Sequence, residues 1–168
     1  MHPRGSVHVL TTLIFTITGC TGASKTPDFT SDDLLTEIDG YEDWDQPVGW
    51  SGPAPSCDGT HGPLVDIWTN PTTAEALAAG TNPLPDGATL IKQGYADDGV
   101  TKYNLTVMRK LTGFDADNGD WFWGQYDAAG AELASGAVSG CTSCHAASAG
   151  DYLLFPESPV VTDPADCP

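Results

Sequence analysis

The segment CTSCH at residues 141–145 constrains the structure of this chain more than any other. On a helix, Cys141 and Cys144 lie one turn apart on the same side, and His145 follows immediately. Two cysteines at this spacing can form thioethers with the two vinyl groups on one edge of a haem, and the histidine can then bind the iron through Nε2. The segment therefore predicts one covalently attached haem c, carried on a helix near the C-terminus.

Other uses of these residue types have weaker support. A zinc site would need a second pair of Cys or His ligands, and beyond the N-terminal segment the other histidine is His61. A redox disulfide would need a thioredoxin-like βαβ context, which the sequence lacks. A domain whose cysteines form only disulfides, with no haem, remains an alternative.

The first 19 residues are typical of a bacterial export signal. Arg4 supplies a positive charge, and the apolar stretch 7–17 is too short to span a membrane. Residues 17–20, Ile-Thr-Gly-Cys, resemble the lipobox of bacterial lipoproteins, which predicts lipidation of Cys20; ordinary cleavage after Ala23 is the alternative. We therefore expect a protein of the bacterial cell envelope, anchored by lipid to the outer membrane and facing the periplasm, or a secreted one.

An oxidising compartment makes the remaining cysteines informative. Cys57 and Cys167 are left once Cys20 and the CTSCH pair are assigned, and we predict that they form a disulfide. In the chain-entropy model, a bridge closing a loop of about 110 residues stabilises the fold by roughly 4–5 kcal/mol. Two unpaired thiols are the alternative.

Charge and composition restrict the partners. The chain of 168 residues has a formal net charge of −17, which argues against nucleic acid as a partner because nucleic acid requires a basic surface. Its length suits one domain with a genuine core. We expect a flexible tether over residues 20–40, with a weak helical signal at 31–38, and a haem domain over residues 41–168.

Local patterns within that domain predict a mainly antiparallel sheet. Strands are predicted from alternating, β-branched or aromatic residues at 64–69, 88–95, 102–111 and 121–126. A helix is predicted with Asn70 as its N-cap, Pro71 as its first residue and Gly80 at its end. The fold class is therefore α+β, a mainly antiparallel sheet with a few short helices.

No residue is an obvious sixth ligand for the iron. Met108 alternates with the apolar Leu105 and Val107, so we expect it to point away from a haem pocket. His61 lies in a loop rich in Gly and Pro and is expected to be an ordinary loop histidine. An open distal site follows from these two expectations.

The ordered segments HGPLVDIWTNPTTAEALAAG, PDGATLIKQGY, TVMRK, GDWFWGQYD and CTSCHAASAGDYLLF resemble cytochrome P-460 and its relative cytochrome c′-β. The resemblance covers about residues 41–160. It implies a mainly antiparallel fold, a homodimer and a five-coordinate haem c. Some members oxidise hydroxylamine or nitric oxide, and others bind gases in an apolar distal pocket.

The resemblance also implies roles for particular residues. Cys141 and Cys144 match the attachment positions, and His145 matches the proximal ligand. Lys92 matches the lysine that cross-links to the porphyrin in cytochrome P-460, and pairing with a haem propionate is the alternative for this residue. Oxidising members carry a pocket carboxylate on a strand like WFWGQY, where this chain has Gly124 in our register.

That difference shapes the expected function. Trp121, Phe122 and Trp123 are candidates for an apolar distal wall, and Asp127 or Glu132 could be a base that the register misses. We expect an exported haem c protein with an open distal site that binds or slowly oxidises nitric oxide or hydroxylamine, with a periplasmic redox partner. The alternative is a periplasmic electron-transfer cytochrome that uses Met108.

Overall fold

The structure is a computed structural model that describes residues 28–50, 52–56, 59–148 and 150–154. Six strands form one antiparallel sheet: β1 (Ala54–Pro55), β2 (Leu64–Thr69), β3 (Thr89–Tyr95), β4 (Lys102–Lys110), β5 (Trp121–Asp127) and β6 (Glu132–Gly136). Each strand pairs with its neighbours in the chain, so the sheet is a simple meander. The predicted α+β class is confirmed.

Among the described residues, three α-helices accompany the sheet: α1 (Ser31–Glu37), α2 (Pro71–Ala78) and α3 (Ser139–His145). The predicted helix after Asn70 is α2, and the Asn70 side chain caps it by accepting a hydrogen bond from the backbone N–H of Thr73. The CTSCH segment lies on α3, as its spacing predicts. Strands β1 and β6 were not predicted, because β1 is very short and β6 (ELASG) is poor in β-branched and aromatic residues.

The sheet has two covered faces, which the strand register defines. Residues directly opposite each other on neighbouring strands point to the same side. Lys92 pairs with Thr106, which pairs with Gln125, and Leu90, Met108 and Trp123 form the next row. We call the side that carries these two rows the site face. Ile91, Val107 and Phe122 lie on the opposite face.

Helix α1 covers the opposite face, so the predicted tether is wrong over residues 28–40. Leu34 has 0% of its surface exposed and packs with Ile38 against core residues of that face, such as Ile91 and Phe122. Thr30 and Asp33 form a reciprocal capping box at the start of the helix. The polar composition of the segment concealed an amphipathic helix, since Leu34 and Ile38 are four residues apart and share one side.

Several predictions concern residues outside the described ranges. They are the export signal over residues 1–19, the lipidation of Cys20 and the disulfide between Cys57 and Cys167. Within the described ranges, no helix has both the length and the apolar character needed to cross a bilayer.

Candidate functional site

A pocket lies between the site face of the sheet and helix α3. Its apolar walls include Leu90, Met108, Trp123 and Leu153. Its other lining residues include four with polar or ionisable side chains that the chemistry can use: His61, Lys92, Cys141 and His145. The structure thus brings four residues singled out from the sequence, Lys92, Trp123, Cys141 and His145, to one site.

His145 is held in a defined orientation. Its side chain is buried, and its Nδ1 lies 2.8 Å from the backbone carbonyl oxygen of Tyr152. Because a carbonyl can only accept, Nδ1 carries the proton and Nε2 carries the lone pair. Histidines that bind metals are usually fixed in this way. The ring also packs edge-on against Trp123, with ring centres 4.8 Å apart.

The two cysteines of α3 differ in environment. Cys141 is half-buried and packs against the cluster that contains Leu90, Met108 and Trp123, whereas Cys144 is exposed. Burial raises the pKa of the Cys141 thiol, so this group stays protonated at neutral pH. Both cysteines are one helical turn apart, as attachment to one edge of a haem requires.

A second layer of residues supports the carbonyl that holds His145. Asp151 accepts hydrogen bonds from Lys110 Nζ at 2.6 Å and from the backbone N–H of Leu84 at 2.7 Å. The backbone at Asp151 and Tyr152 is left-handed, with φ of 46° and 64°. Such conformations persist only where the surroundings enforce them. The sequence carries no local signal for the role of this turn, because Lys110 and Asp151 are 41 residues apart in the chain.

The aromatic residues of strand β5 lie on both faces of the sheet. Trp123 lines the pocket. Trp121 lies on the site face beside it, where its Nε1 donates to the carbonyl of Asp151 at 3.1 Å and so supports the turn. Phe122 was expected on the distal wall, but it faces the other way and packs against Phe29 and Phe114. Alternation along β5 requires this division.

Lys92 lies where strand alternation puts it. It is half-buried on the site face, in one row with Thr106 and Gln125, and it lines the pocket. The cross-link to haem stays a prediction.

The expectation for Met108 is wrong. It lies on the site face between Leu90 and Trp123, is buried, and lines the pocket. The alternation of β4 gave the wrong face for Met108, because both faces of the sheet are covered. Leu105 and Val107 pack against the core beneath α1, so their apolar character does not mark the face of the pocket.

The expectation that His61 is an ordinary loop histidine rather than a ligand stays a prediction, but the structure brings this residue to the pocket. This loop residue lines the pocket, with its Nδ1 2.8 Å from Thr106 Oγ1 and its ring centre 6.3 Å from that of His145. The sequence offered no signal for this placement, since the loop has no periodicity that could orient its side chains.

No Asp or Glu lines the pocket among the residues that the structure describes. Gly124 and Gln125 both border the pocket, but a Cβ at Gly124 would press against Leu34 of α1, on the opposite face of the sheet. Gln125 is therefore the residue that presents a side chain on the site face. Asp127 instead accepts hydrogen bonds from the backbone of the β5–β6 hairpin, and Glu132 accepts one from Ser135. Neither is the missed pocket base.

The residues present fit a haem. An anchored imidazole and Cys141 face a mostly apolar wall, and Cys144 lies exposed one helical turn further along α3. An apolar macrocycle with a central metal requires such a wall and such a ligand. The indole N–H of Trp123 is buried without a hydrogen-bond acceptor among the described residues. A haem carboxylate or a ligand on the iron could supply this acceptor.

An antiparallel meander closed on one face by a Cys-X-X-Cys-His helix defines a β-sheet haem protein. The family model described as Cytochrome P460 matches residues 38–155. The chain belongs to the cytochrome P460 family, and haem is therefore its cofactor. The search of curated proteins finds no match to this chain.

Proposed function

We propose that this chain is an exported c-type haem protein whose pocket binds, or slowly oxidises, small nitrogen species such as nitric oxide and hydroxylamine. Cys141 and Cys144 would hold one haem per chain through thioethers, and His145 would bind the iron through Nε2. The observation that carries the proposal is the bond between His145 Nδ1 and the Tyr152 carbonyl, which orients a metal-binding nitrogen in an apolar pocket.

The walls of the pocket support a small, weakly polar ligand. Leu90, Met108 and Trp123 make it apolar, and such walls suit nitric oxide better than an ionic substrate. A haem bound there supplies an iron that can bind such a ligand and exchange electrons with it. Oxidation of hydroxylamine also requires a group that accepts protons, and no carboxylate lines the pocket among the described residues. We therefore expect slow turnover.

The predicted open distal site needs revision. It rested on the lack of a sixth ligand, and the structure puts both Met108 and His61 in the pocket lining. Binding of an external ligand therefore competes with any residue that reaches the iron.

The test is expression with a cytochrome c maturation system, followed by spectra of the reduced protein with and without nitric oxide. A coloured product with haem covalently bound, and a spectral change on addition of nitric oxide, are expected. A colourless product with intact cysteines contradicts the haem attachment. A coloured product that does not respond to nitric oxide contradicts the ligand class only.

The second candidate function is periplasmic electron transfer. The position of Met108 in the pocket favours it, because a thioether opposite a histidine is a common ligand pair in electron carriers. A low-spin spectrum that is lost in Met108→Leu, with no nitric oxide binding by the unmodified protein, would identify this function.

Location and partners complete the proposal. The N-terminal sequence supports export and a lipid anchor at Cys20, with the domain facing the periplasm and the membrane contacted only through the lipid. The proposal also includes a periplasmic redox partner and the homodimer that the family resemblance implies. Fractionation of cells tests the location, and the mass of the purified protein in solution tests the homodimer.

A further inference from the structure

We propose that His61 is a second axial ligand of the haem iron in the resting protein, and that small ligands reach the iron by displacing it. The proposal rests on the haem attachment proposed above. It departs from the five-coordinate haem that the resemblance implies.

The spacing of the two histidines supports this role. The ring centres of His61 and His145 are 6.3 Å apart, and the rings are perpendicular. An imidazole nitrogen lies about 2 Å from the metal that it binds and the ring centre about 1 Å beyond, so two imidazoles on opposite sides of one metal have ring centres roughly 6 Å apart. The observed separation matches this requirement.

The hydrogen bonds of His61 fix which nitrogen can bind a metal. Thr106 has one hydroxyl proton, and it donates this proton to the carbonyl of Lys92 at 3.3 Å. When the proton goes to this carbonyl, the hydroxyl oxygen accepts from His61 Nδ1, which lies 2.8 Å away. The lone pair of His61 is then on Nε2, the nitrogen that His145 also presents. Both imidazoles thus have the Nδ1–H anchor that is typical of metal ligands.

The loop that carries His61 is held against the sheet by hydrogen bonds and close packing. The carbonyl of Thr60 accepts from the Asn104 side chain at 3.0 Å, and the backbone N–H of Gly62 donates to Gly59 at 3.1 Å. The His61 carbonyl lies so close to Gly94 that any side chain there would collide with it. His61 is therefore placed by backbone contacts on two strands, which gives it the preorganisation that a ligand needs.

Met108 is the competing ligand, and its surroundings argue for a packing role. It is buried in one cluster with Leu90, Trp121 and Trp123. A flexible thioether commonly fills irregular space in such a cluster. In the part of the chain that the structure describes, Met108 has no anchor comparable with the Thr106 hydroxyl next to His61.

The experiment uses the holoprotein, with absorption and electron paramagnetic resonance spectra. The unmodified protein is expected to be low-spin, His61→Ala high-spin, and Met108→Leu low-spin. Imidazole added to His61→Ala should restore the low-spin spectrum. Thr106→Val removes the anchor and leaves His61 in place, and it should yield a mixture of spin states.

Nitric oxide supplies a kinetic readout. Binding to the reduced unmodified protein should saturate with nitric oxide concentration, because departure of His61 becomes limiting. Binding to His61→Ala should stay proportional to concentration. At the concentration where the rate of the unmodified protein saturates, His61→Ala should bind at least ten-fold faster, which corresponds to about 1.4 kcal/mol for the iron–imidazole bond.

Three outcomes overturn the proposal. They are a high-spin unmodified protein, loss of the low-spin spectrum in Met108→Leu with its retention in His61→Ala, and an unchanged spectrum in Thr106→Val combined with a high-spin His61→Ala that imidazole does not restore. Each presupposes bound haem, so they are distinct from the colourless product that contradicts the haem attachment.

Discussion

Lys110 Nζ lies 2.6 Å from Asp151 Oδ1, and this ion pair joins the end of β4 to the turn that follows α3. The ammonium also lies over the Trp121 ring, 4.7 Å from its centre. Since the next residue, Tyr152, supplies the carbonyl that orients His145, the pair connects the sheet to the candidate metal ligand.

Lys110→Met should strongly destabilise the protein. The two side chains of the pair are only 9% and 5% exposed, so loss of the cation leaves a buried, uncompensated carboxylate. Removal of one partner of such a pair costs about 3–5 kcal/mol. Chemical unfolding of the holoprotein measures this loss. Lys102→Met is the matched control, because the pair of Lys102 with Glu42 is 47% and 57% exposed, and exposed pairs contribute about 0–1 kcal/mol. Equal losses in the two variants would contradict the buried role.

Leu34→Ala should show that α1 belongs to the folded domain. Leu34 is completely buried against the opposite face of the sheet. Truncation of a buried leucine costs about 2–5 kcal/mol, since a cavity remains. Thermal or chemical unfolding checks this, with Val48→Ala as the control because Val48 is fully exposed. If Leu34→Ala unfolds like the unmodified protein, residues 28–40 act as the tether that the sequence indicated.

Sequence patterns predicted those side-chain positions that depend only on neighbouring residues in the chain. Alternation along β3 correctly oriented Lys92, because the period of a strand needs only neighbouring residues. The same alternation misplaced Met108, since it cannot say which of two covered faces carries the pocket. The position of His61 depends on contacts with Gly94 and Thr106, and these partners are distant in the chain.

Gly94→Ala should disturb the loop that carries His61. A methyl group at this position would collide with the His61 carbonyl and with the Asn104 side chain. Overpacking of this kind costs about 1–3 kcal/mol, and we expect the haem spectrum to change with it. The control is Gly140→Ala in α3, where a Cβ meets nothing within 4 Å. An unchanged spectrum and unchanged stability in Gly94→Ala would show that the loop can move without consequence.

Asp98→Asn should make the stability of the protein depend less on pH in acid. Hydrogen bonds from the Thr101 hydroxyl, then from the backbone N–H groups of Thr101 and Val100, lower the pKa of Asp98 from 3.8 to about 2. The contribution of this group is fully present above its unfolded pKa of 3.8 and is lost as pH falls through about 2. Melting temperatures between these pH values should fall less steeply in Asp98→Asn than in the unmodified protein. Asp97→Asn, which makes the same charge change in the same hairpin, is the control, and identical slopes in both variants would contradict the prediction.

Lys92→Ala tests the haem cross-link. The lysine is half-buried on the site face and lines the pocket, and its amine could act as the nucleophile that forms the link. If the link forms, the unmodified protein has a red-shifted Soret band and Lys92→Ala has an ordinary c-type spectrum. Mass spectrometry of the haem peptide is the direct measurement. A peptide over residues 141–145 that carries haem without Lys92 would show that this lysine only lines the pocket.

The meander has a consequence for how relatives of this chain can change in length. Lys92, Thr106 and Gln125 lie in the middle of their strands, and the irregularities in pairing fall after Gly94 and Gln125. The connections 96–101 and 128–131 lie at the ends of the strands. Residues can be added or removed there without reorienting the pocket, whereas a single insertion within a strand would turn every following side chain to the other face. We therefore expect relatives to differ in length at the ends of the strands, and to differ by substitution within the pocket.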